Sequence, residues 1–590
     1  MEEEINFSKK SIFNQLKKNK LLIGFLITVL ILGLYLRFDD YAAEGYCSDD
    51  MNTIPAAVFA YYPHDYFPGL VSTEPPLGNY IIGLGCMASG EDFSGVSNVK
   101  PLFFPDRSAY IGKAMKNAEN YCWAPVYIFG ILFILGIIIF AFSFFPDIYS
   151  ATYFITFFIF FTAIIQASRT LKVDIILFTF VIFSLIFLWK GYKTNKGLFK
   201  EKIYFLIAFA FLGLSSATKF PMGALIVFSF LLILEKYYRE LLYFLQKGFE
   251  KIDIHIFKNK FDKSTINPQS LLINMVIAIS SSSFFLMLFF NFSLKNLFDT
   301  YHYMTSLNWA GVQALGFSLP NFFQWLGEFL AQLNIFDIFI FIFSIFIFIK
   351  IIFKKPKTKQ EKFALYLIFL CILLVTIFKS GIMVHLVHTI PFMFGFFILM
   401  SLTFSDKKYS IFNTFKIKKK YFLVFIMVYS LVSFLTLYFA PFHHAERNPL
   451  VCSLTNIDSC KITFQGNLDK PTSAYFESIL NEDETFLPTG ISNFYIRHND
   501  DILWWMFYSS FQKQTGKEPR LQDYLKYYEP EGRRVRYIYA DTLLETNPDS
   551  LTGIHADLYI LKKNYKPNHV IKIYNRDAAY IYDLENLIKK

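Results

Sequence analysis

The chain has 590 residues, of which 54% are hydrophobic and 20% aromatic, so its composition excludes an ordinary soluble domain. Its formal net charge is +10, but the lysines cluster in short loops between apolar runs, and no basic face or nucleic-acid motif accompanies them. This distribution argues against a nucleic-acid partner and indicates the side of a membrane on which those loops lie.

The N-terminal region combines basic residues with a first apolar run at 21–36, and no small-residue cleavage site follows it. The pattern predicts an uncleaved anchor with residues 1–20 in the cytoplasm. Residues 38–123 then form an external first loop, which opens with the acid pair Asp49-Asp50. A carboxylate pair near a bilayer surface is costly unless it is solvated, paired or used.

Apolar runs long enough to span about 30 Å of hydrocarbon recur before residue 441, and they need to be helical because lipid offers backbone groups no partner. With this pattern, every strong lysine cluster falls on the cytoplasmic side. The fold class predicted is a polytopic α-helical membrane protein, with its membrane domain at 21–440. About eleven spans are predicted, at 21–36, 124–145, 153–167, 175–189, 203–217, 222–234, 271–290, 335–349, 363–378, 385–404 and 421–440.

Residues 441–590 are polar and mixed, which predicts a separate extracytoplasmic domain. Strand-like runs alternate there with helical stretches such as 472–480, which favours a small α/β or α+β fold. Cys452 and Cys460 lie close together in sequence and either form a disulfide or remain free thiols. The predicted strands cover residues 536–540, 555–561, 569–574 and 579–582.

Several motifs of the membrane domain resemble the glycosyltransferase C superfamily, in particular its protein O-mannosyltransferase and aminoarabinose-transferase branch. Asp49-Asp50 stands where that branch has an Asp-Glu pair at the start of its first external loop. Glu74-Pro75-Pro76-Leu77 stands where it has Lys- or His-Pro-Pro-Leu. The corner from Arg169 to Asp174 resembles the family's Ala-Arg…Asp corner, and Thr218-Lys219 resembles its Thr-Lys.

The chain departs from the family pattern in places. Glu74 replaces the cation before Pro-Pro, which argues against phosphate binding there and leaves Glu74, Pro75 and Pro76 as substrate-positioning residues. The oligosaccharyltransferase branch carries Trp-Trp-Asp-Tyr-Gly in its terminal domain. This chain has Trp504-Trp505-Met506-Phe507-Tyr508, without the acid or the glycine, so we do not assign it to that branch.

The resemblance implies an inverting sugar transfer from a polyprenyl-phosphate donor at the bilayer edge. A carboxylate must take the acceptor's proton, a role that falls to Asp49, with Asp50 as the alternative, while Asp174 would orient a cation or the acceptor. The leaving group is a lipid phosphate, so cations on the same side should stabilise its growing charge. These are Arg169, Lys172, Lys219, Arg107, His385 and His388.

A purely structural explanation stands beside each role. The acid pair could be a solvated loop pair, Arg169 and Lys219 could be snorkelling anchors at helix ends, and Asp174 could be only a salt-bridge partner. His385 and His388 lie three positions apart on one helix face, which would suit a metal. No third ligand is evident, so packing is the favoured explanation and no metal site is assigned.

The sequence therefore predicts an integral membrane glycosyltransferase whose site faces away from the cytoplasm. It would move a mannose-like hexose or a modified pentose from polyprenyl or dolichyl phosphate to a protein hydroxyl, a surface glycan or a glycolipid. No cofactor is assigned, and a divalent-cation requirement stays open. The alternative function is that of a transporter or flippase for a lipid-linked sugar. For such a protein we expect charged residues deep within the spans and an internal repeat. The charges here fall at predicted span ends, and no repeat is seen.

Overall fold

The computed structural model of the chain is mostly helical. It describes residues 20–38, 57–58, 60–61, 76–93, 105–169, 171–219, 223–250, 267–299, 319–354, 358–377, 386–405, 410–439, 475–476, 478–481, 484–487, 511, 515–517, 520–528, 534–541, 553–573 and 576–585.

A long series of helices precedes the first strand. They are α1 (Lys20–Phe38), α2 (Pro76–Met87), α3 (Pro105–Phe144), α4 (Ile148–Phe160), α5 (Thr162–Arg169), α6 (Asp174–Lys193), α7 (Phe199–Ser216), α8 (Gly223–Lys236), α9 (Tyr238–Glu250), α10 (Pro268–Leu288), α11 (Leu319–Gln332), α12 (Ile335–Lys354), α13 (Lys359–Ile377), α14 (Leu386–Leu402), α15 (Ile411–Thr414) and α16 (Tyr421–Phe439).

Each predicted span coincides with a helix or, for 153–167, with the pair α4 and α5. Within the described ranges, six helices are long and apolar enough to cross a membrane, and seven if that pair, bent by 57°, counts as one span. The prediction of a polytopic helical membrane protein is confirmed. The number of helices that meet this requirement is below the eleven predicted spans. The helices α8 and α14 are short, with 14 and 17 residues, and α7 and α13 begin with charged turns that lower their hydropathy.

The helices α6 and α7 pack side by side and run in opposite directions between two polar regions. We call residues 36–38, 76–78, 169–174 and 217–219 the first-loop end, and residues 190–201, 235–240 and 359–362 the lysine end. Because α6 has 20 residues, it separates the two ends by about 30 Å, a distance similar to the hydrocarbon thickness.

Aromatic side chains fill the core between these ends, as the composition requires. The Phe158 ring of α4 lies 5.1 Å from the Phe394 ring and 5.0 Å from the Phe397 ring of α14, measured between centroids. At the start of α4, the Asp147 carboxylate caps the helix by accepting the backbone N–H groups of Tyr149 and Ser150 at 3.0 Å. The helices α4 and α5 also pack against α1.

The C-terminal region contains a four-stranded sheet in the order β1-β2-β4-β3. β1 pairs parallel with β2, whereas β4 pairs antiparallel with both β2 and β3. Both faces are covered, since Ile538 and Tyr539, neighbours on β2, belong to apolar clusters on opposite sides. The elements are β1 (Glu484–Leu487), α17 (Leu521–Tyr528), β2 (Arg534–Asp541), α18 (Gly553–Asn564), β3 (His569–Ile573) and β4 (Arg576–Asp583).

One predicted strand is wrong, because residues 555–561 lie in α18. The buried Leu558 and Leu561 are three positions apart, a helical spacing, and the Asp557 carboxylate of this helix pairs with Arg520. The sequence analysis also missed β1. The other predicted strands correspond to β2, β3 and β4, while Cys452 and Cys460 lie outside the described residues.

Candidate active site

The first-loop end contains a buried ion pair between two of the predicted site residues. Lys219 Nζ lies 2.5 Å from Asp174 Oδ1, and the two side chains are 10% and 3% exposed. Asp174 opens α6, where the helix dipole favours a carboxylate, and Lys219 follows the end of α7. The antiparallel packing of these helices therefore brings together two motifs that are 45 residues apart.

Two more predicted cations belong to the same corner. Arg169, the last residue of α5, is 5% exposed, and its Nη1 donates to the backbone carbonyl of Leu36 at 2.6 Å. Lys172 is half-buried in the turn between α5 and α6. The corner thus connects the Asp174–Lys219 pair to the last turn of α1, from which the first loop departs.

The Pro-Pro-Leu motif reaches this corner as well. Pro76 opens α2, and the backbone N–H of Leu77 donates to the Ala217 carbonyl at 3.1 Å, two residues before Lys219. A Cβ at Gly78 would collide with the side chain of Val173, the residue before Asp174. Only glycine allows this close approach, which is why α2 fits between the residues that flank the ion pair.

A disulfide between Cys86 and Cys122 joins the end of α2 to α3. The sequence analysis did not predict it, although both cysteines fall in the predicted external loop 38–123 and thus share a compartment. Cys371, by contrast, is a buried free thiol. The disulfide holds α2 at one end, and the contacts of Leu77 and Gly78 hold it at the other.

The remaining predicted residues cannot be placed in this geometry. Asp49, Asp50, Glu74, Pro75 and His385 lie outside the described residues. Arg107 lies on α3 and His388 in the first turn of α14, but their side chains belong to the parts that are not described. Their roles stay predictions.

Another buried carboxylate lies away from this corner and was not anticipated. Asp337, in the first turn of α12, accepts hydrogen bonds from the Tyr153 hydroxyl at 2.7 Å and the Tyr429 hydroxyl at 3.2 Å. The helix dipole and these donors satisfy the carboxylate, so it ties α4, α12 and α16 together. Within the described ranges, no three His, Cys, Asp or Glu side chains form a metal-sized group.

The chemistry of the corner suits an anion. A guanidinium, two ammonium groups and the start of α6 supply positive charge and hydrogen-bond donors, while Asp174 orients Lys219. The last turn of α1, which precedes the predicted first loop in the chain, lies directly beside Arg169. This arrangement suits a reaction in which negative charge develops on a membrane-bound leaving group.

Among solved structures, the chain is similar to ArnT of Cupriavidus metallidurans bound to undecaprenyl phosphate. The identity is 13%, the alignment covers 95% of this chain and 98% of that chain, and the TM-score is 0.46. A second similar structure is the oligosaccharyltransferase AglB of Archaeoglobus fulgidus, in complex with an inhibitory peptide and a dolichol-phosphate. Its identity is 12%, with 90% of this chain and 70% of that chain covered and a TM-score of 0.37.

No protein-family model matches the chain, and no curated protein matches it in sequence. The functional proposal rests on the contacts of this chain's own residues rather than on these alignments.

Proposed function

We propose that the chain is an integral membrane glycosyltransferase that uses a polyprenyl-phosphate sugar as donor. The observation that carries the proposal is the convergence of Arg169, Asp174, Lys219 and the start of α2 at the point where the first loop leaves α1. A transporter would need none of these motifs to meet. A transferase needs a cationic site for its lipid phosphate next to an acid that serves the acceptor.

The reaction we propose is an inverting transfer. Asp49 takes the proton of the acceptor hydroxyl as its oxygen attacks the anomeric carbon, and the bond from that carbon to the phosphate oxygen breaks. The electron pair stays on the departing polyprenyl phosphate, where Lys219, Arg169 and Lys172 stabilise the charge. The sugar we propose is a mannose-like hexose or a modified pentose, and the acceptor a protein hydroxyl, surface glycan or glycolipid.

We further propose that the first-loop end faces away from the cytoplasm and the lysine end faces it. Lysines 190, 193, 196 and 200 cluster at the lysine end, and Lys202 follows directly, a pattern that is typical of cytoplasmic loops. The disulfide between Cys86 and Cys122 supports the same orientation, because disulfides persist in oxidising compartments outside the cytoplasm. The N-terminus is then cytoplasmic and the C-terminal domain extracytoplasmic.

The test is sugar transfer by the purified full-length chain in detergent. A panel of radiolabelled polyprenyl-phosphate sugars serves as donors, a membrane extract as acceptor, and Asp49→Asn and Asp50→Asn run in parallel. We expect Asp49→Asn to lose about 100-fold or more in rate while donor binding persists.

Loss in Asp50→Asn alone would move the base to the neighbouring acid. If no donor is used but a lipid-linked sugar crosses the bilayer of liposomes containing the protein, the transporter alternative replaces the proposal.

A further inference from the structure

Arg37 is a buried arginine to which the sequence analysis assigned no role. It lies in the last turn of α1 and is 2% exposed. Its Nη1 donates to the carbonyls of Gly33 at 2.8 Å and Ile159 at 3.0 Å, and its Nη2 to that of Phe158 at 3.4 Å. Phe158 and Ile159 close α4, where carbonyls lack intrahelical partners and the helix dipole is negative. Arg37 therefore caps α4.

Arg169 makes the converse contact. It ends α5, the helix that follows the break after α4, and it donates to the carbonyl of Leu36 in the last turn of α1. A residue of α1 thus caps α4, and a residue of α5 caps α1. Because α5 follows α4 in the chain, the three helices form a closed ring of contacts. The guanidinium groups of Arg37 and Arg169 lie close enough for their charges to interact.

A glycine makes the ring possible. A Cβ at Gly33 would collide with the Ile159 side chain, so glycine allows α1 to approach α4 closely. At that separation Arg37 reaches the carbonyls at the end of α4. Gly24, earlier on the same helix, has nothing within 4 Å of its would-be Cβ and serves no such contact.

We infer that Arg37 is a positioning residue, which holds the Arg169 guanidinium in place for the donor phosphate. The carbonyl that Arg169 binds belongs to Leu36, the chain neighbour of Arg37, so any shift of the last turn of α1 shifts the acceptor of Arg169. The inference rests on the proposed function, since it assigns Arg169 to the phosphate.

The test is equilibrium binding of undecaprenyl phosphate to the full-length chain in detergent. It compares wild type, Arg37→Gln, Arg169→Gln and the double variant. We expect each single variant to bind about tenfold more weakly, the loss typical of one charge-assisted contact. The double variant should bind no more weakly than Arg169→Gln, because Arg37 acts through Arg169. A merely structural role predicts the same loss from Arg37→Gln in both backgrounds, and that result would overturn the inference.

A second pair of variants keeps the test decisive where Arg37→Gln does not fold. Gly33→Ala separates α1 from α4 without removing charge and should weaken binding, whereas Gly24→Ala should not. Equal binding by these two alanine variants contradicts the inference alone. If the wild type binds no undecaprenyl phosphate, the proposed function fails and the inference fails with it.

Discussion

The two ends of the helix bundle both bury charged side chains, but they satisfy them differently. At the lysine end, three glutamates each meet a lysine, in the pairs Glu201–Lys236, Glu240–Lys196 and Glu235–Lys362. The first-loop end has the ion pair Asp174–Lys219 and, beside it, two buried arginines, Arg37 and Arg169, that donate to backbone carbonyls near the ends of helices. Such carbonyls lie at the negative end of the helix dipole, so these contacts tie a cation to a helix end rather than to a second side chain.

The lysine end is a closed network around a fully buried carboxylate. Glu201 accepts the Tyr237 hydroxyl at 2.8 Å and the Gly197 N–H at 2.7 Å, and Asn274 donates to the Tyr237 oxygen at 3.0 Å. Burial, together with the Glu201 carboxylate, raises the pKa of the Tyr237 phenol far above its ordinary value, so it stays an O–H donor. These contacts join α7, α8 and α10 and leave this end suited to structure rather than binding.

The difference between the two ends favours one of the polar clusters as the candidate site. Buried charges are common at both ends, so burial alone would have chosen the lysine end, where the pairs are more numerous. The first-loop end differs because two of its arginines hold the carbonyl ends of helices and because the start of α2 adjoins it. In the proposed mechanism, this group of cations supplies the field that an anionic lipid group needs.

The largest effect should come from Lys219→Met at the first-loop end. In the proposed mechanism, Lys219 stabilises the developing phosphate charge, so removal of its ammonium group should lower the transfer rate at saturating donor about 100-fold. The matched control is Lys196→Met, which removes a lysine from an ion pair at the lysine end and should leave the rate within about twofold of wild type.

Lys219→Met also leaves Asp174 buried without this ion pair, so folding must be followed by thermal unfolding in detergent. The double variant Asp174→Asn with Lys219→Met removes both charges and should recover stability but not activity. Restored transfer in the double variant would show that the pair is structural and would end the distinction between the two ends.

A smaller effect, and on stability alone, is expected of Glu201→Gln at the lysine end. The single amide oxygen can take the place of Oε2 and accept from both Tyr237 and Gly197, but Lys236 loses its counter-charge, which should lower the free energy of unfolding by about 2 kcal/mol. Specific activity of the folded protein should not change. Unfolding by denaturant, followed by intrinsic fluorescence, measures the first quantity and the transfer assay the second. Impaired transfer by a folded variant would contradict the assignment of a structural role to the lysine end and a functional role to the first-loop end.

The helices of the membrane domain could be predicted from sequence because apolar runs of the required length admit no other structure in lipid. The corner from Arg169 to Asp174 and its neighbour Lys219 could be found from their resemblance to family motifs. The ion pair between Asp174 and Lys219 could not be predicted from the sequence, because it depends on how α6 and α7 pack. Arg37 escaped notice since a single arginine at the end of a span is usually a snorkelling anchor.

Other features depend on contacts between distant segments that no local pattern reports. The cysteines of the Cys86–Cys122 bond are 36 residues apart and lie on different helices, so their pairing follows from the packing of α2 on α3. Asp337 is an acid in the first turn of α12, and only the fold shows Tyr153 and Tyr429 beside it. Residues 555–561 were predicted as a strand but belong to α18. A short apolar run of this kind fits both the spacing of a strand and that of a helix, so only its tertiary contacts decide between the two.

The smallest effect should come from the disulfide that holds α2 in place. Cys86→Ser with Cys122→Ser loosens one end of α2, while the Leu77 and Gly78 contacts still hold the other, so we expect KM for the donor to rise about tenfold or less with kcat nearly unchanged. Cys371→Ser, at the buried free thiol, is the matched control and should behave as wild type. Thiol blocking in intact cells before and after reduction checks that the bond forms, as the proposed orientation of the first-loop end requires. A reduced pair in cells contradicts that orientation, and an unchanged KM in the double variant means that the contacts of Leu77 and Gly78 alone position α2.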